Sequence, residues 1–272
     1  MLRIEDLDPP RVVSGSAERI AEDLAWLGLR YDAGTYVQST RTDTYVEALD
    51  RLKERALVYP CDCSRSELAA VASAPHAGDE LRYPGLCRDK DPGRVFKRPP
   101  ALRLRVADGT RIRFVDQLTG TQVSQRVDRE VGDFVLRRGD GVVAYQLAVA
   151  LDDSAQAVTH VVRGRDLLGS TARQLLLLEL LERPAPTYWL HLPLVVMPDG
   201  ERVAKRLRSL GVRDLRARGV EAAELVGVLA HGLGLVGDAS PRDADSLRLD
   251  PALASTTLSR VSFVVPEAWA SS

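Results

Sequence analysis

Cysteine is scarce in this 272-residue sequence, with three residues, and neither sign of charge prevails: 37 lysines and arginines stand against 38 acids. Three thiols cannot build a disulfide framework, and in a chain with no leader they point to a reducing compartment. Long apolar runs are missing too. The longest, around positions 175–178, soon meets Glu179 and Glu182, so nothing here can cross a bilayer. The N-terminal stretch places Glu5 and Asp6 where a signal peptide would need apolar residues, so the expected location is cytoplasmic. No internal repeat and no low-complexity tract occurs. With 45% hydrophobic and 28% charged residues, the chain can bury a sizeable core and is not a disordered one.

A net charge of −1 does not exclude nucleic acid, because distribution matters more than the sum. Basic residues gather at Arg94, Lys97, Arg98, Arg103 and Arg105, at Arg111 and Arg113, and again at Arg202, Lys205, Arg206 and Arg208. A solvated face is the plainer reading of each cluster.

Along the chain, Ser16 precedes a helical pattern with Ile20, Leu24 and Leu27 on one face, closed by Gly28. A second helix is expected from about Asp43 to Arg55, burying Tyr45, Leu49 and Leu52. Positions 61–100 hold all three cysteines and five prolines but little periodicity, so something other than a core must order them. Leu102, Leu104 and Val106 alternate with arginines, as do Ile112 and Phe114, predicting a hairpin or meander turning at Asp108 and Gly109. The apolar run from Val142 to Leu151 predicts a buried parallel strand, with Tyr145 inside it. A second strand, Ala157 to Val162, leads into Arg163 and Gly164. A helix from about Leu167 to Leu181 and a strand from Trp189 to Val196 follow, and the remainder after Ser209 reads as mostly helical. Strand, helix and strand in this order give an α/β architecture with an inserted β-rich module.

Three constellations could carry chemistry. Cys61 and Cys63 sit two apart and Cys87 lies on a distant turn, so three thiolates can reach one ion and close a loop otherwise without order. Thiolates select zinc, and a structural site wants four ligands; His76 is the usual fourth choice and Tyr83 the unusual one. The expected strand ends form a second constellation, with Asp152, Asp153, Arg163 and Asp166 at a common rim. Arginine suits a carboxylate or phosphate, acids suit an amine or ribose hydroxyls, and a structural salt bridge among them is at least as good an account. The third is the segment Glu201, Arg202, Val203, Ala204, Lys205 and Arg206, a basic loop after a turn that could hold polyphosphate.

Several blocks in order resemble one family. The segment from Arg3 to Arg11, with Asp8, Pro9 and Pro10, resembles the one that follows the first signature in class I glutamyl-tRNA synthetases. Trp26 to Leu29, Gln38 to Arg41, Tyr59 to Arg65, Asp133 to Arg138, Tyr145 to Val149 and Val162 to Leu167 continue the pattern up to about Gly219. The pattern is most similar to that of the short paralogues, the glutamyl-queuosine tRNA(Asp) synthetases, because no room remains for a C-terminal anticodon-binding region.

The resemblance implies a Rossmann-type catalytic domain with an inserted zinc-bearing α+β module. Its divisions are a partial first half at 1–58, the zinc-bearing and acceptor-like module at 59–132, a second half at 133–208, and a helical region at 209–272. It implies one structural zinc on Cys61, Cys63, Tyr83 and Cys87, favouring Tyr83 over His76. Glu5 would meet the α-amino group of glutamate with Tyr145 beside it, and Arg163 would hold a carboxylate. Lys205, at the second lysine of the KMSKS loop, would act in catalysis by steadying the ATP phosphates, with Mg2+ accompanying ATP. The implied partners are glutamate, ATP and tRNA(Asp), with no membrane, and the expected state is a monomer. Two departures stand out. The first strand and helix bearing the HIGH signature would precede Met1, which implies either a start assigned too late or a truncated paralogue, the intact later blocks favouring the former. Arg202 and Ala204 also replace the first lysine and the serine of the KMSKS signature. The other readings are an inactive protein retaining zinc and RNA binding, and a tRNA(Glu)-charging enzyme.

Overall fold

The computed structural model describes residues 1–64, 66–68, 82–196, 211–247 and 262–264. The chain opens with strand β1 (Leu2–Ile4), helix α1 (Ser16–Trp26), strand β2 (Thr35–Val37) and helix α2 (Thr42–Glu54). β1 and β2 pair in parallel, from Leu2 opposite Thr35 to Ile4 opposite Val37. α2 buries Tyr45, Ala48, Leu49 and Leu52, the one-face spacing expected of a helix against a core. α1 forms as expected, but none of its residues is fully buried and Ile20 is 54% exposed.

Five strands follow: β3 (Val58–Cys61), β4 (Ala101–Leu104), β5 (Arg111–Asp116), β6 (Thr121–Arg126) and β7 (Val135–Arg137). β4 lies between β3 and β7, antiparallel to both. The hairpin expected across Asp108 and Gly109 does not form. β4 ends at Leu104, the Val106 N–H beyond it goes to the Asp133 carboxylate at 2.8 Å, and the chain turns into another sheet. There β5 forms its hairpin with β6 instead, pairing Arg111 with Arg126 through Asp116 with Thr121.

Helix α3 (Tyr145–Ala155), strand β8 (His160–Gly164), helix α4 (Leu168–Leu180) and strand β9 (Tyr188–Leu192) come next. The run expected as a buried strand from Val142 to Leu151 is thus mostly helix, and Tyr145 begins that helix rather than lying within a strand. Residues 147–153 are all buried, so this stretch of the helix shows no exposed face from which periodicity could be read. The strand expected from Trp189 to Val196 is divided at Pro193, which has no N–H to donate. Its second part, β10 (Leu194–Val196), pairs in parallel with β11 (Ser262–Val264). Between them lie helices α5 (Val212–Ala217) and α6 (Ala222–Gly232).

The largest sheet has the order β6-β5-β9-β8. β8 and β9 run parallel from His160 opposite Tyr188 to Gly164 opposite Leu192, and β5 meets β9 where Asp116 faces Trp189. One apolar core joins α2, β4, β7, α3 and α4 through Leu49, Leu104, Leu136, Leu147 and Leu177, each almost completely buried. Leu147 and Ala148 seat the start of α3 in this core, β8 is held by its pairing with β9, and both carry candidate site residues.

Candidate active site and metal centre

β3 delivers Cys61 from its last position, Cys63 follows two residues on, and Cys87 comes from a turn after Gly85, whose φ of 82° is left-handed. The three Sγ atoms all lie within 4.8 Å of one another, with Cys63 and Cys87 at 3.6 Å. A tetrahedral zinc with bonds of about 2.3 Å would space its sulfurs by about 3.8 Å, so the donor set and its spacing fit that ion. Tyr83 stands beside the three sulfurs: its Oη lies 3.3 Å from the Cys61 Sγ and 3.9 Å from the Cys63 Sγ, and accepts the Cys87 N–H at 2.7 Å. His76, the alternative ligand, lies outside the described residues.

Burial pushes the Cys63 thiol up to about 12, aided by its neighbouring sulfurs. Asp62 is tied down by the Lys97 N–H at 3.0 Å and Arg94 at 2.8 Å, and these bonds hold its carboxyl well below the ordinary range. The first basic cluster is thereby largely accounted for. Arg94 pairs with Asp62, Lys97 and Arg98 with Glu67, and Arg105 with Asp89, while Arg103 lies 3.9 Å over the Tyr83 ring.

The expected rim of Asp152, Asp153, Arg163 and Asp166 is not a row of strand ends, because both aspartates sit in α3. Asp152 is fully buried and receives Tyr45 Oη at 2.8 Å, Gln38 Nε2 at 2.8 Å, Arg41 Nε at 3.1 Å and Tyr36 Oη at 3.3 Å. A carboxylate so fully engaged anchors α3 to the segment from Tyr36 to Tyr45 and has nothing left for a ligand. Asp153 pairs with Arg3 at 2.7 Å, and Arg3 also donates to Glu5 and to Gln156. Burial raises the Asp153 pKa, while Arg3 opposes that shift.

Glu5, Tyr145 and Arg163 come together. Tyr145 at the start of α3 feels both the Arg163 guanidinium and the Glu5 carboxylate, although burial dominates and raises its pKa. Its side chain is still 39% exposed, so this neighbourhood opens to solvent. Arg163 projects from β8 over the Trp189 ring, 5.1 Å from its centre. Three neutral acceptors take its N–H groups: Thr171 Oγ1 and Gln174 Oε1 at 2.8 Å each, and His191 Nε2 at 3.3 Å. Because His191 Nε2 faces a donor, the imidazole proton belongs on Nδ1, toward Asp116 Oδ2 at 3.6 Å. Burial first, and Arg163 second, push the His191 pKa down to about 4, so it stays neutral. Lys205 and its loop lie outside the described residues.

Thr171, Gln174 and His191 were not among the residues singled out from sequence. The only signal was the spacing of Thr171 and Gln174, one helical turn apart and so on one face. Likewise Arg3 and Glu5, two apart on an extended segment, share one side of it, a signal that could have marked Arg3.

A family model described as tRNA synthetases class I (E and Q), catalytic domain, matches residues 1–240. The chain belongs to this family. Relatives of this synthetase domain include the glutamyl-Q tRNA(Asp) synthetase of Nitratidesulfovibrio vulgaris, 48% identical over 256 residues, 89% of this chain and 78% of that protein. That of Nocardia farcinica is 45% identical over 240 residues, 86% of this chain and 74% of the relative. Among solved structures, the glutamate-tRNA synthetase of Elizabethkingia anophelis superposes with a TM-score of 0.73 at 23% identity, over 98% of this chain and 61% of that one. The chain thus spans about three fifths of that synthetase, and the likeness is one of fold.

Proposed function

We propose that this chain activates glutamate with ATP and transfers it to the queuosine base of tRNA(Asp). Relatives bearing that enzyme's name, at 43–48% identity over most of the chain, support the reading. The observation that carries it is that Tyr145 feels both the Glu5 carboxylate and the Arg163 guanidinium. Glutamate is a zwitterion with a second carboxylate. Glu5 offers a partner for its ammonium group, and Arg163 a bidentate partner for a carboxylate.

In this reading Glu5, Tyr145 and Arg163 hold glutamate so that an oxygen of its reacting carboxylate attacks the α-phosphorus of ATP. The bond from that phosphorus to the bridging oxygen breaks, pyrophosphate leaves, and glutamyl adenylate remains. Attack by the queuosine base on the glutamyl carbonyl then releases AMP. No protein nucleophile is needed: the barrier falls through positioning and through charge placed where it develops. Lys205, by its place in the sequence, would steady the phosphates. A zinc on Cys61, Cys63, Tyr83 and Cys87 would cross-link the segment around it and take no part in these steps.

The test is glutamate-dependent ATP–pyrophosphate exchange without tRNA, followed by transfer to queuosine-containing tRNA(Asp). Exchange that is lost in Arg163→Ala supports the reading. Exchange with unchanged glutamate dependence in that variant removes Arg163 from the site.

A further inference from the structure

Arg163 is bound on three sides, yet every acceptor that holds it is neutral. Among the described residues no carboxylate forms an ion pair with it, and Asp153 and Asp166 act on it only from further away. This arrangement is unusual for a half-buried guanidinium, which ordinarily recovers its desolvation cost from a paired acid. We propose that Thr171, Gln174 and His191 are positioning residues that fix Arg163 in place without pairing its charge to an acid, so that it selects a carboxylate over an amide. The proposal rests on the reading that Arg163 receives a carboxylate of glutamate.

The orientation of each group follows from its neighbours. The Gln174 amide cannot turn over freely: its Nε2 donates to Gln146 Oε1 at 3.2 Å, and Gln146 Nε2 donates to Ser170 Oγ at 2.9 Å. Its oxygen is therefore the atom presented to Arg163. Thr171 Oγ1 also lies 3.1 Å from His191 Nε2, so its hydroxyl proton points to the imidazole and its lone pair to Arg163. Asp116 accepts the His191 backbone N–H at 3.3 Å, and its Oδ2 lies 3.6 Å from Nδ1. Thr171, Gln174, His191 and Asp116 are all at least nine-tenths buried, so none of them is placed to touch substrate. Asp116 is separated from Arg163 by the imidazole. Thr171, Gln174 and His191 thus add no negative charge of their own beside Arg163.

A carboxylate approaching Arg163 gains a charge-assisted bond that an amide does not, and the difference is greatest where no other acid competes. Placing an acid inside the cradle should abolish that advantage. Gln174→Glu does so with almost no change in shape, and the new acid would pair with Arg163. An effect limited to architecture would leave this variant as stable as the parent or more so, with glutamate binding intact.

The experiment measures glutamate, glutamine and ATP binding by titration calorimetry, together with Tm, on the full chain and four variants. Arg163→Ala should lose glutamate binding. Gln174→Glu should weaken glutamate by about tenfold or more, a step of ~1.4 kcal/mol, without a lower Tm or weaker ATP binding, and should narrow the preference for glutamate over glutamine. Thr171→Val, which deletes one acceptor at constant shape, should weaken glutamate selectively, and Thr171→Ser should restore it. If Arg163→Ala loses glutamate while Gln174→Glu and Thr171→Val bind it as the parent does, the positioning role is overturned and the reading of Arg163 stands. If Arg163→Ala binds glutamate normally, both fall. Should Gln174→Glu fail to fold, the Thr171 pair decides.

Discussion

Arg3 and Asp153, 150 residues apart in sequence, meet at 2.7 Å and tie the first strand of the chain to the helix that begins with Tyr145. Asp153 is 6% exposed, so its charge depends on that partner. Arg3→Ala should cost about 3–5 kcal/mol, the usual loss when one member of a buried pair is removed. Arg3→Ala combined with Asp153→Asn should recover most of it. Urea unfolding of the two single variants and the double variant measures the coupling; strictly additive losses would show that the pair contributes nothing.

The thiol cluster makes a stoichiometric prediction. Protein prepared without chelator should carry one zinc per chain, and Cys87→Ser should carry much less. Chelation should lower Tm, because the segment around Cys61 and Cys87 has only a small apolar cluster of its own. Metal analysis that finds less than half an equivalent in the parent protein would speak against the site. Tyr83→Phe should reduce zinc retention while leaving the three thiols in place.

Asp152 should prove structural. Removing it in Asp152→Ala leaves two tyrosines, a glutamine and an arginine without their shared acceptor, at a cost of about 3–5 kcal/mol. Tyr45→Phe deletes one of those donors and should cost only about 1–2 kcal/mol. Denaturant melts of both variants test this ranking, and equal losses would contradict it.

His191 gives the fold a pH dependence with a definite sign. Its pKa falls from the ordinary 6.5 to about 4 on folding, so between these values the unfolded chain takes up a proton that the folded chain refuses. Stability therefore rises with pH through this window, is fully present above it, and drops by about 3 kcal/mol on acidification to pH 4. His191→Gln keeps an acceptor and a donor without titrating. Subtracting its stability profile from that of the parent isolates the imidazole, and identical slopes between pH 4 and 6.5 would refute the assignment.

The sequence disclosed features whose physics is local. Cys61 and Cys63, two apart, and Cys87 in a segment of little periodicity announced the thiol cluster that the fold brings together. Tyr45, Leu49 and Leu52 announced the buried face of α2. Val142 to Leu151 misled because an apolar run enclosed on every side carries no periodic signal, and its helical state is imposed by packing. Asp152 misled because only the three-dimensional structure shows four donors converging on it from the segment between Tyr36 and Tyr45. The holders of Arg163 stayed hidden for a related reason. A neutral threonine, glutamine or histidine carries no mark of its role until tertiary contacts aim it at a charge.

The cradle around Arg163 draws on β5, β8, α4 and β9, and its most distant members, Asp116 and His191, are 75 residues apart. The entropy of closing such a loop must be met before the contact rewards it, so pairings of this range consolidate after local helices and hairpins have formed. On the ribosome, where about 5–20 residues are added each second, Asp116 emerges several seconds before His191 can join it. On the proposed reading, a capacity to discriminate glutamate from glutamine would report that β5, β9 and β8 have come together.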